Sequence, residues 1–177
     1  AREWTGPAQT KDEHPVELLA NIQDRAGAER AEASQAAGIG LFRTELSFLN
    51  TPTEPSIDEQ TDLYRSVFGR FPGAKIVVRT LDAGSDKPVA FASVPNEENP
   101  ALGVRGLRTS GIDEGLLTRQ IDAIVTASVE HDGPNWIMAP MVSTVSEARW
   151  FAGLIRERGL KAGIMIEVPS AAIMIDK

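Results

Sequence analysis

The sequence predicts an α/β fold built around a parallel β-sheet. Short apolar runs alternate along the chain with amphipathic segments of helical period, which is the order expected of repeated strand–helix units. The apolar runs are nearly continuous and do not alternate with polar residues, as is typical of strands covered on both faces. Glycine, proline or a helix-capping residue separates many of these segments.

Composition places the chain among globular proteins and excludes several functions. Of its 177 residues, 42% are apolar and 24% are charged. The absence of cysteine excludes disulfides, thiolate catalysis and cysteine zinc sites. A net charge of −7 argues against a non-specific nucleic-acid or membrane-surface binder. No apolar run approaches the roughly 20 residues of a membrane span, and the first residues lack a signal-peptide pattern.

The N-terminal segment predicts a tail, two strands and a helix. Residues 1–13 are polar and lack a clear period, so we expect a linker ahead of a domain over 14–177. The apolar runs Val16–Ile22 and Ile39–Phe42 predict strands. Between them, an Ala- and Glu-rich helix should cover Ala26–Ala37 and end at Gly38.

The next segment predicts a capped helix, a strand and a long loop. Ser56, followed three residues later by Glu59, matches a capping box, and the helix behind it should run to Phe71 before a Pro-Gly pair. Lys75–Val78 begins a third strand. The glycine- and proline-rich stretch Leu81–Thr109 cannot be one regular element, and loops of this length inside a compact domain are usually functional.

The C-terminal part predicts two further strand–helix units. Asp113–His131 has the period of an amphipathic helix, and Trp136–Pro140 follows as a fourth strand. A helix over Val145–Arg158 ends before a glycine, and Ala162–Ile166 supplies a fifth strand. Ser170 then has the position of an N-cap for a last helix.

Two of the predicted strands end in the same Arg-Thr pair. Parallel α/β folds bind ligands at the carboxyl ends of their strands, so Arg43 and Arg79 should reach one rim, with Arg105 as a third candidate. A guanidinium is a permanent, planar donor that matches phosphate and carboxylate oxygens, so the pattern favours a small multiply charged anion. The alternative is that each arginine forms a structural ion pair, for example with Glu45 or Asp82.

Further charged residues lie beside these arginines. Glu167 follows the fifth strand, and a carboxylate there could bind magnesium, which prefers hard oxygen ligands. The alternative is a salt bridge from Glu167 to Arg43 or Arg79. The loop after the third strand carries Lys87, which could bend over a bound anion. Neither histidine follows a strand in this way, so we expect no catalytic base among them.

Five segments of the sequence together carry a family resemblance, namely Gly38–Glu45, Val77–Asp82, Gly84–Lys87, Asn96–Gly103 and Gly163–Pro169. They resemble the PEP-utilising enzyme family, and most closely its enzyme I branch, the phosphoenolpyruvate–protein phosphotransferases. The pyruvate phosphate dikinase and phosphoenolpyruvate synthase branches are more distant alternatives, as is a non-catalytic module that binds an organic phosphate. The resemblance implies a phosphoenolpyruvate-binding (β/α)8 TIM barrel, of which about five strands are present here.

The resemblance also implies roles for individual residues. Arg43 and Arg79 would hold the phosphoryl group of phosphoenolpyruvate. Arg105 and Lys87 would lie near the substrate. Glu167 would be a ligand of Mg²⁺. Such a site holds positive charge in place around a trianionic substrate and needs little covalent chemistry from the barrel.

The family pattern includes groups that this sequence does not contain. They are the phosphorylated histidine of a separate N-terminal domain, a second magnesium carboxylate, a further arginine and an acid cysteine on later strands. The resemblance therefore implies a truncated barrel, inactive by itself, from a cytoplasmic, homodimeric magnesium-dependent transferase. The whole protein would pass phosphoryl groups to the carrier protein HPr in sugar transport. We also expect the open edges of such a half-barrel to lead to self-association, to binding of a partner fragment, or to partial disorder near the C-terminus.

Overall fold

A computed structural model describes residues 8–34, 36–49, 51–84, 89–94, 96–99 and 101–177. Seven strands and five helices account for its regular structure, together with short 3₁₀ helices over Thr44–Ser47 and Gly106–Gly111. The strands are β1 (Ala8–Gln9), β2 (Pro15–Val16), β3 (Ala20–Ile22), β4 (Gly38–Arg43), β5 (Lys75–Arg79), β6 (Asn135–Ala139) and β7 (Lys161–Ile164). The helices are α1 (Arg25–Ala33), α2 (Ile57–Phe68), α3 (Glu114–Ser128), α4 (Val145–Arg156) and α5 (Pro169–Ile173).

The main sheet has five parallel strands in the order β3-β4-β5-β6-β7. This order follows the chain, so each strand lies beside the one before it, as in an arc of a (β/α)8 barrel. The predicted α/β class and the five parallel strands of a partial barrel are confirmed. Within the described residues, β3 and β7 are the edges of this sheet.

One hydrophobic core joins the sheet to its helices. The strands contribute Ile39, Phe42, Ile76 and Ile137, each of which is fully buried. Helices α2 and α3 pack against each other, and α4 packs against β7. The buried residues of α3 include Leu117, Ile121, Ile124 and Ser128, in agreement with the predicted amphipathic period of this helix. No helix in the described parts of the chain has the length and hydropathy needed to cross a membrane.

The predicted single strand Val16–Ile22 is wrong. Val16 belongs to β2, which pairs antiparallel with β1 in a hairpin over residues 8–16, and only Ala20–Ile22 joins the parallel sheet. Between them, the carbonyl of Leu18 accepts a hydrogen bond from the Ala37 amide at 2.8 Å. The chain therefore changes its pairing partner within the apolar run. This hairpin includes residue 13, where the expected linker would end and the expected domain would begin. That boundary remains a prediction.

Four helices end earlier than predicted, and one of them is α3, which ends at Ser128 and not at His131. Helix α1 ends at Ala33, where the Ser34 hydroxyl donates to the carbonyl of Ala31 at 2.6 Å. Gly38 lies in β4, where a side chain would collide with the backbone of β5. Helices α2 and α4 end at Phe68 and Arg156, two or three residues earlier than expected.

The capping predictions had mixed outcomes. The capping box at Ser56 and Glu59 is confirmed, with the Ser56 amide donating to the Glu59 carboxylate at 2.8 Å. The expected cap at Ser170 is wrong, because Val168 occupies the N-cap of α5. The Ser170 hydroxyl instead donates to the carbonyl of Ser143 at 2.7 Å and ties α5 to the segment before α4.

Candidate functional site

The carboxyl ends of β4 and β5 place the two Arg-Thr pairs side by side. Arg43 and Arg79 are register partners in the parallel pairing of these strands. Neighbouring strands lie about 4.8 Å apart, and register partners point to the same face of a sheet. The two arginines predicted from the sequence therefore reach one rim together.

Arg79 is held by two carboxylates beneath this rim. Its side chain is 6% exposed, and its Nη2 atom lies 2.5 Å from Oε1 of Glu45 and 3.1 Å from Oδ2 of Asp82. The Nη1 atom lies 3.3 Å from the sulfur of Met165, a weak acceptor. The Nε atom is buried without a hydrogen-bond partner. The structural ion pairs considered as an alternative are thus present at Arg79, and they leave its Nε atom without a hydrogen-bond partner.

Arg43 has a different environment. It is the last residue of β4 and is half-buried. In the part of the chain that the structure describes, its side chain forms no hydrogen bond or ion pair. Among the described residues, no carboxylate therefore neutralises the Arg43 guanidinium, in contrast with that of Arg79.

Arg105 joins the same cluster through a shared carboxylate. Its Nε atom lies 2.9 Å from Oδ1 of Asp82, and its side chain is 12% exposed. The next residue, Gly106, has a φ of +58°, and its amide donates to the carbonyl of Ala83 at 3.1 Å. This left-handed conformation favours glycine and holds the loop against the end of β5. Asp82 therefore contacts both Arg79 and Arg105.

Among the described residues, the group formed by Arg43, Arg79, Arg105, Glu45 and Asp82 has one more positive than negative charge. Three guanidiniums, on Arg43, Arg79 and Arg105, face two buried carboxylates, on Glu45 and Asp82. Three buried polar atoms there have no partner, namely Oε2 of Glu45, Nε of Arg79 and Oγ1 of Thr80. Buried polar atoms are almost always satisfied in folded proteins, so these atoms indicate a place for water or a ligand. The arrangement suits a compact oxyanion that accepts hydrogen bonds from several donors.

Glu167 lies at the same rim, after β7. Its side chain is exposed, and its Oε1 atom accepts a hydrogen bond from the Met141 amide at 2.8 Å. Met141, whose amide donates this bond, has a φ of +61°. This backbone conformation is strained for a residue other than glycine. Across the described residues, Glu167 forms no salt bridge to Arg43 or Arg79.

The carboxylate of Glu167 fits the donor type that magnesium prefers. The described residues contain no cluster of three or more His, Cys, Asp or Glu side chains that could bind a metal. Glu167 can therefore supply one ligand, and the other ligands would come from water, substrate or elsewhere. Lys87, the remaining predicted site residue, lies outside the described residues.

Sequence analysis missed a buried amide behind the rim. Gln120 of α3 donates from Nε2 to the hydroxyl of Thr44 at 3.0 Å and to that of Tyr64 at 3.1 Å. Its Oε1 atom accepts from the Leu81 amide at 2.9 Å. Burial raises the pKa of Tyr64 well above its ordinary value of 10.0, so this hydroxyl stays neutral. A glutamine beside Ile121 on the apolar face of a helix was the available signal.

The two histidines lie elsewhere. His14 precedes β2, and its carbonyl accepts a hydrogen bond from the Thr10 amide in the hairpin. His131 follows α3, and its Nε2 atom lies 2.8 Å from the carbonyl of Phe71. Neither residue follows a strand of the main sheet.

Comparison with known proteins gives a consistent set of relatives. The family model described as "PEP-utilising enzyme, PEP-binding domain" matches residues 1–177. The chain is 46% identical over 172 residues to a phosphoenolpyruvate-protein phosphotransferase of Streptomyces coelicolor, covering 96% of this chain and 31% of that protein. It is 42% identical to the protein of that name from Haloferax volcanii, covering 96% of this chain and 32% of that one. It is also 34% identical to multiphosphoryl transfer protein 2 of Escherichia coli, covering 99% and 23%. The chain thus spans about a third or less of the length of these curated relatives.

Proposed function

The chain belongs to the PEP-utilising enzyme family, as the sequence indicated, and we propose that its rim binds the phosphoryl group of phosphoenolpyruvate. The observation that carries the proposal is the pairing of Arg43 with Arg79 in register across β4 and β5. This register places the two arginines next to each other on one face of the sheet. A phosphoryl group carries several oxygens that accept charge-assisted hydrogen bonds, and such bonds are about twice as strong as neutral ones.

The two arginines would contribute differently to binding. Arg43 has no carboxylate partner among the described residues, so it supplies an uncompensated positive charge. Arg79 is fixed by Glu45 and Asp82, which favours a guanidinium held in place before the ligand arrives. Its guanidinium would then face the phosphoryl oxygens from a fixed position. Preorganised donors of this kind act strongly because they need not reorient when the anion binds.

Arg105 and Lys87 would complete the positive lining on the other side of the substrate. Arg105 reaches the cluster through Asp82, and the Gly106 amide fixes its loop to the end of β5. We assign Lys87 to this group from the family resemblance.

Glu167 would hold a magnesium ion next to the bound substrate. The Met141 amide fixes one oxygen of this carboxylate and leaves the other without a partner in the described residues. When bound, the ion would neutralise negative charge on the substrate oxygens. The exposed position of Glu167 on the rim leaves room for further ligands.

In a whole protein of this family, the site would serve phosphoryl transfer. Several relatives are named phosphoenolpyruvate-protein phosphotransferase, and we infer the same activity for the protein of which this chain forms a part. That protein would be a cytoplasmic homodimer that phosphorylates one of its own histidines and then HPr during sugar uptake. The chain alone would bind substrate without turning it over.

Calorimetric titration of this chain tests the proposal. We expect phosphoenolpyruvate to bind in the presence of Mg²⁺, and pyruvate, which lacks the phosphoryl group, to bind at least about tenfold more weakly. Arg70→Ala is a suitable control, since Arg70 pairs with Glu29 and Glu32 away from the rim. Equal binding of phosphoenolpyruvate to the wild type and Arg43→Ala would show that the rim is not the phosphoryl site.

A further inference from the structure

Gln120 reaches from α3 to the carboxyl ends of two strands. Its side chain is buried, and the Gln120 residue is 3% exposed. The amide bridges two loops: Oε1 accepts from the backbone of Leu81 after β5, and Nε2 donates to Thr44 after β4. One side chain from the helical layer therefore contacts both segments that follow the phosphoryl-binding arginines.

The hydrogen-bond directions in this network are fixed by chemistry. The Leu81 backbone nitrogen can only donate, so Oε1 of Gln120 must face it and Nε2 must face the hydroxyls. The Thr44 hydroxyl accepts from Gln120 and donates its own hydrogen to the carbonyl of Arg79 at 2.9 Å. A continuous chain of hydrogen bonds thus runs from α3 through Thr44 to the backbone of Arg79.

This chain holds β4 and β5 together beyond their last register pair. Pairing between the strands ends at Arg43 and Arg79, and the first amide after β5, that of Thr80, donates to the carbonyl of Met138 in β6 at 3.0 Å. The Thr44 hydroxyl and the Gln120 amide are therefore side-chain links between the two Arg-Thr ends. Guanidiniums that share one phosphoryl group must be placed to within about half an ångström.

We propose that Gln120 is a positioning residue that fixes the spacing of Arg43 and Arg79 for a shared anion. This inference rests on the proposed function of the rim. Gln120 does not touch the anion itself, and it acts through the Thr44 hydroxyl and the Leu81 amide. Loss of its side-chain amide would leave the Leu81 amide without an acceptor and the Thr44 hydroxyl without one of its two bonds, so the strand ends would move to find other partners.

The test replaces Gln120 with methionine, which has a similar length and no hydrogen-bonding amide. The control is Ile124→Val, which shortens a buried side chain one turn away on the same helix and leaves the network intact. We expect Gln120→Met to bind phosphoenolpyruvate at least about tenfold more weakly than Ile124→Val. Adding Arg43→Ala to Gln120→Met should weaken binding less than Arg43→Ala does alone, because both changes remove the same contact.

A measurement without ligand separates this inference from the proposed function. Hydrogen exchange of the Leu81 amide should be accelerated by Gln120→Met and unchanged by Ile124→Val. If the wild type does not bind phosphoenolpyruvate, the proposed function fails, while faster exchange still supports the link between the strand ends. Unchanged exchange overturns the inference. Faster exchange with unaltered affinity, or additive losses in the double variant, also overturns the positioning role.

Discussion

The Nη2 atom of Arg79 lies 2.5 Å from Oε1 of Glu45, and both side chains are almost fully buried. Asp82 contacts the same Nη2 atom at 3.1 Å, so one guanidinium is shared by two carboxylates. Breaking a buried ion pair from one side leaves an uncompensated charge in a medium of low polarity. Loss of the Glu45 charge should therefore weaken the interactions that fix the position of the Arg79 guanidinium.

Glu45→Gln should destabilise the protein. An amide of the same shape removes the negative charge next to Arg79, and we expect the free energy of unfolding to fall by about 3 kcal/mol. Denaturant unfolding measures this change. Glu29→Gln is the matched control, because Glu29 pairs with Arg70 at the surface, where such a pair contributes at most about 1 kcal/mol. Equal losses in the two variants would contradict the importance of the buried pair.

Arg43→Ala and Arg79→Ala should separate binding from stability. Arg43 has no protein partner in the described residues, so its removal should weaken phosphoenolpyruvate binding at least about tenfold with little change in unfolding free energy. Arg79→Ala should weaken both binding and folding, since Glu45 and Asp82 would then be buried without their shared cation. Calorimetry and denaturant unfolding of both variants measure the two effects. A strongly destabilised Arg43→Ala would contradict the difference.

The sequence predicted the parts of the fold that depend on local pattern. The capping box at Ser56 and Glu59 satisfies its own amides, so its geometry follows from spacing alone. The β4 and β5 strands were also located, because their apolar runs are continuous and each ends at an arginine. The rim position of Arg43 and Arg79 then follows from the rule that parallel strands end at one side.

Features that depend on distant contacts were not visible in the pattern. Val16 is not part of the predicted first strand because it pairs with Ala8 of β1. No local signal in the sequence indicates this pairing. The choice between an anion ligand and an ion pair at Arg79 was also open, since burial of Glu45 and Asp82 arises only in three dimensions. Gln120 was missed because a single polar residue on an apolar helix face acquires meaning only from its contacts.

Glu167→Gln should reduce the effect of magnesium on substrate binding. A carboxylate is a better magnesium ligand than an amide, and magnesium also binds substrate oxygens, so the two should bind together. We expect Mg²⁺ to increase the affinity of the wild type for phosphoenolpyruvate more than that of Glu167→Gln, as measured by calorimetry with and without the ion. Glu157→Gln, an exposed change at the end of α4, should respond as the wild type does. Identical magnesium responses in all three proteins would refute the assignment.

Glu59 should make folding stability depend on pH below about 4.5. Hydrogen bonds from the backbone and then the hydroxyl of Ser56 hold the pKa of this carboxyl below its ordinary value of 4.5. Its ionised form therefore stabilises the fold above that value, and this contribution disappears as the pH falls through the lowered pKa. Gln in a capping box accepts the same bonds without titrating.

Thermal unfolding of the wild type and Glu59→Gln, followed by circular dichroism, measures this effect. The difference between their midpoints should stay constant near neutral pH and change only below about pH 4.5, where the wild type loses stability relative to the variant. With Ser56→Ala in both proteins, the pH-dependent part should be smaller, because the hydroxyl that donates to Glu59 is gone. A midpoint difference that is the same at every pH would exclude this role.

The open edges of the sheet should make this chain self-associate. β3 and β7 are the edge strands of the described sheet, and each exposes unpaired backbone groups on its outer side. Apolar side chains near the end of the chain add to the effect, since Ile173 is 78% exposed and Ile175 is 68% exposed. Sedimentation should show concentration-dependent association, and lysine at both positions should reduce it because like charges repel. The control is lysine at Val129, which is exposed to a similar degree and directly follows α3. This change should leave association unchanged. A monodisperse monomer at all concentrations would contradict the prediction.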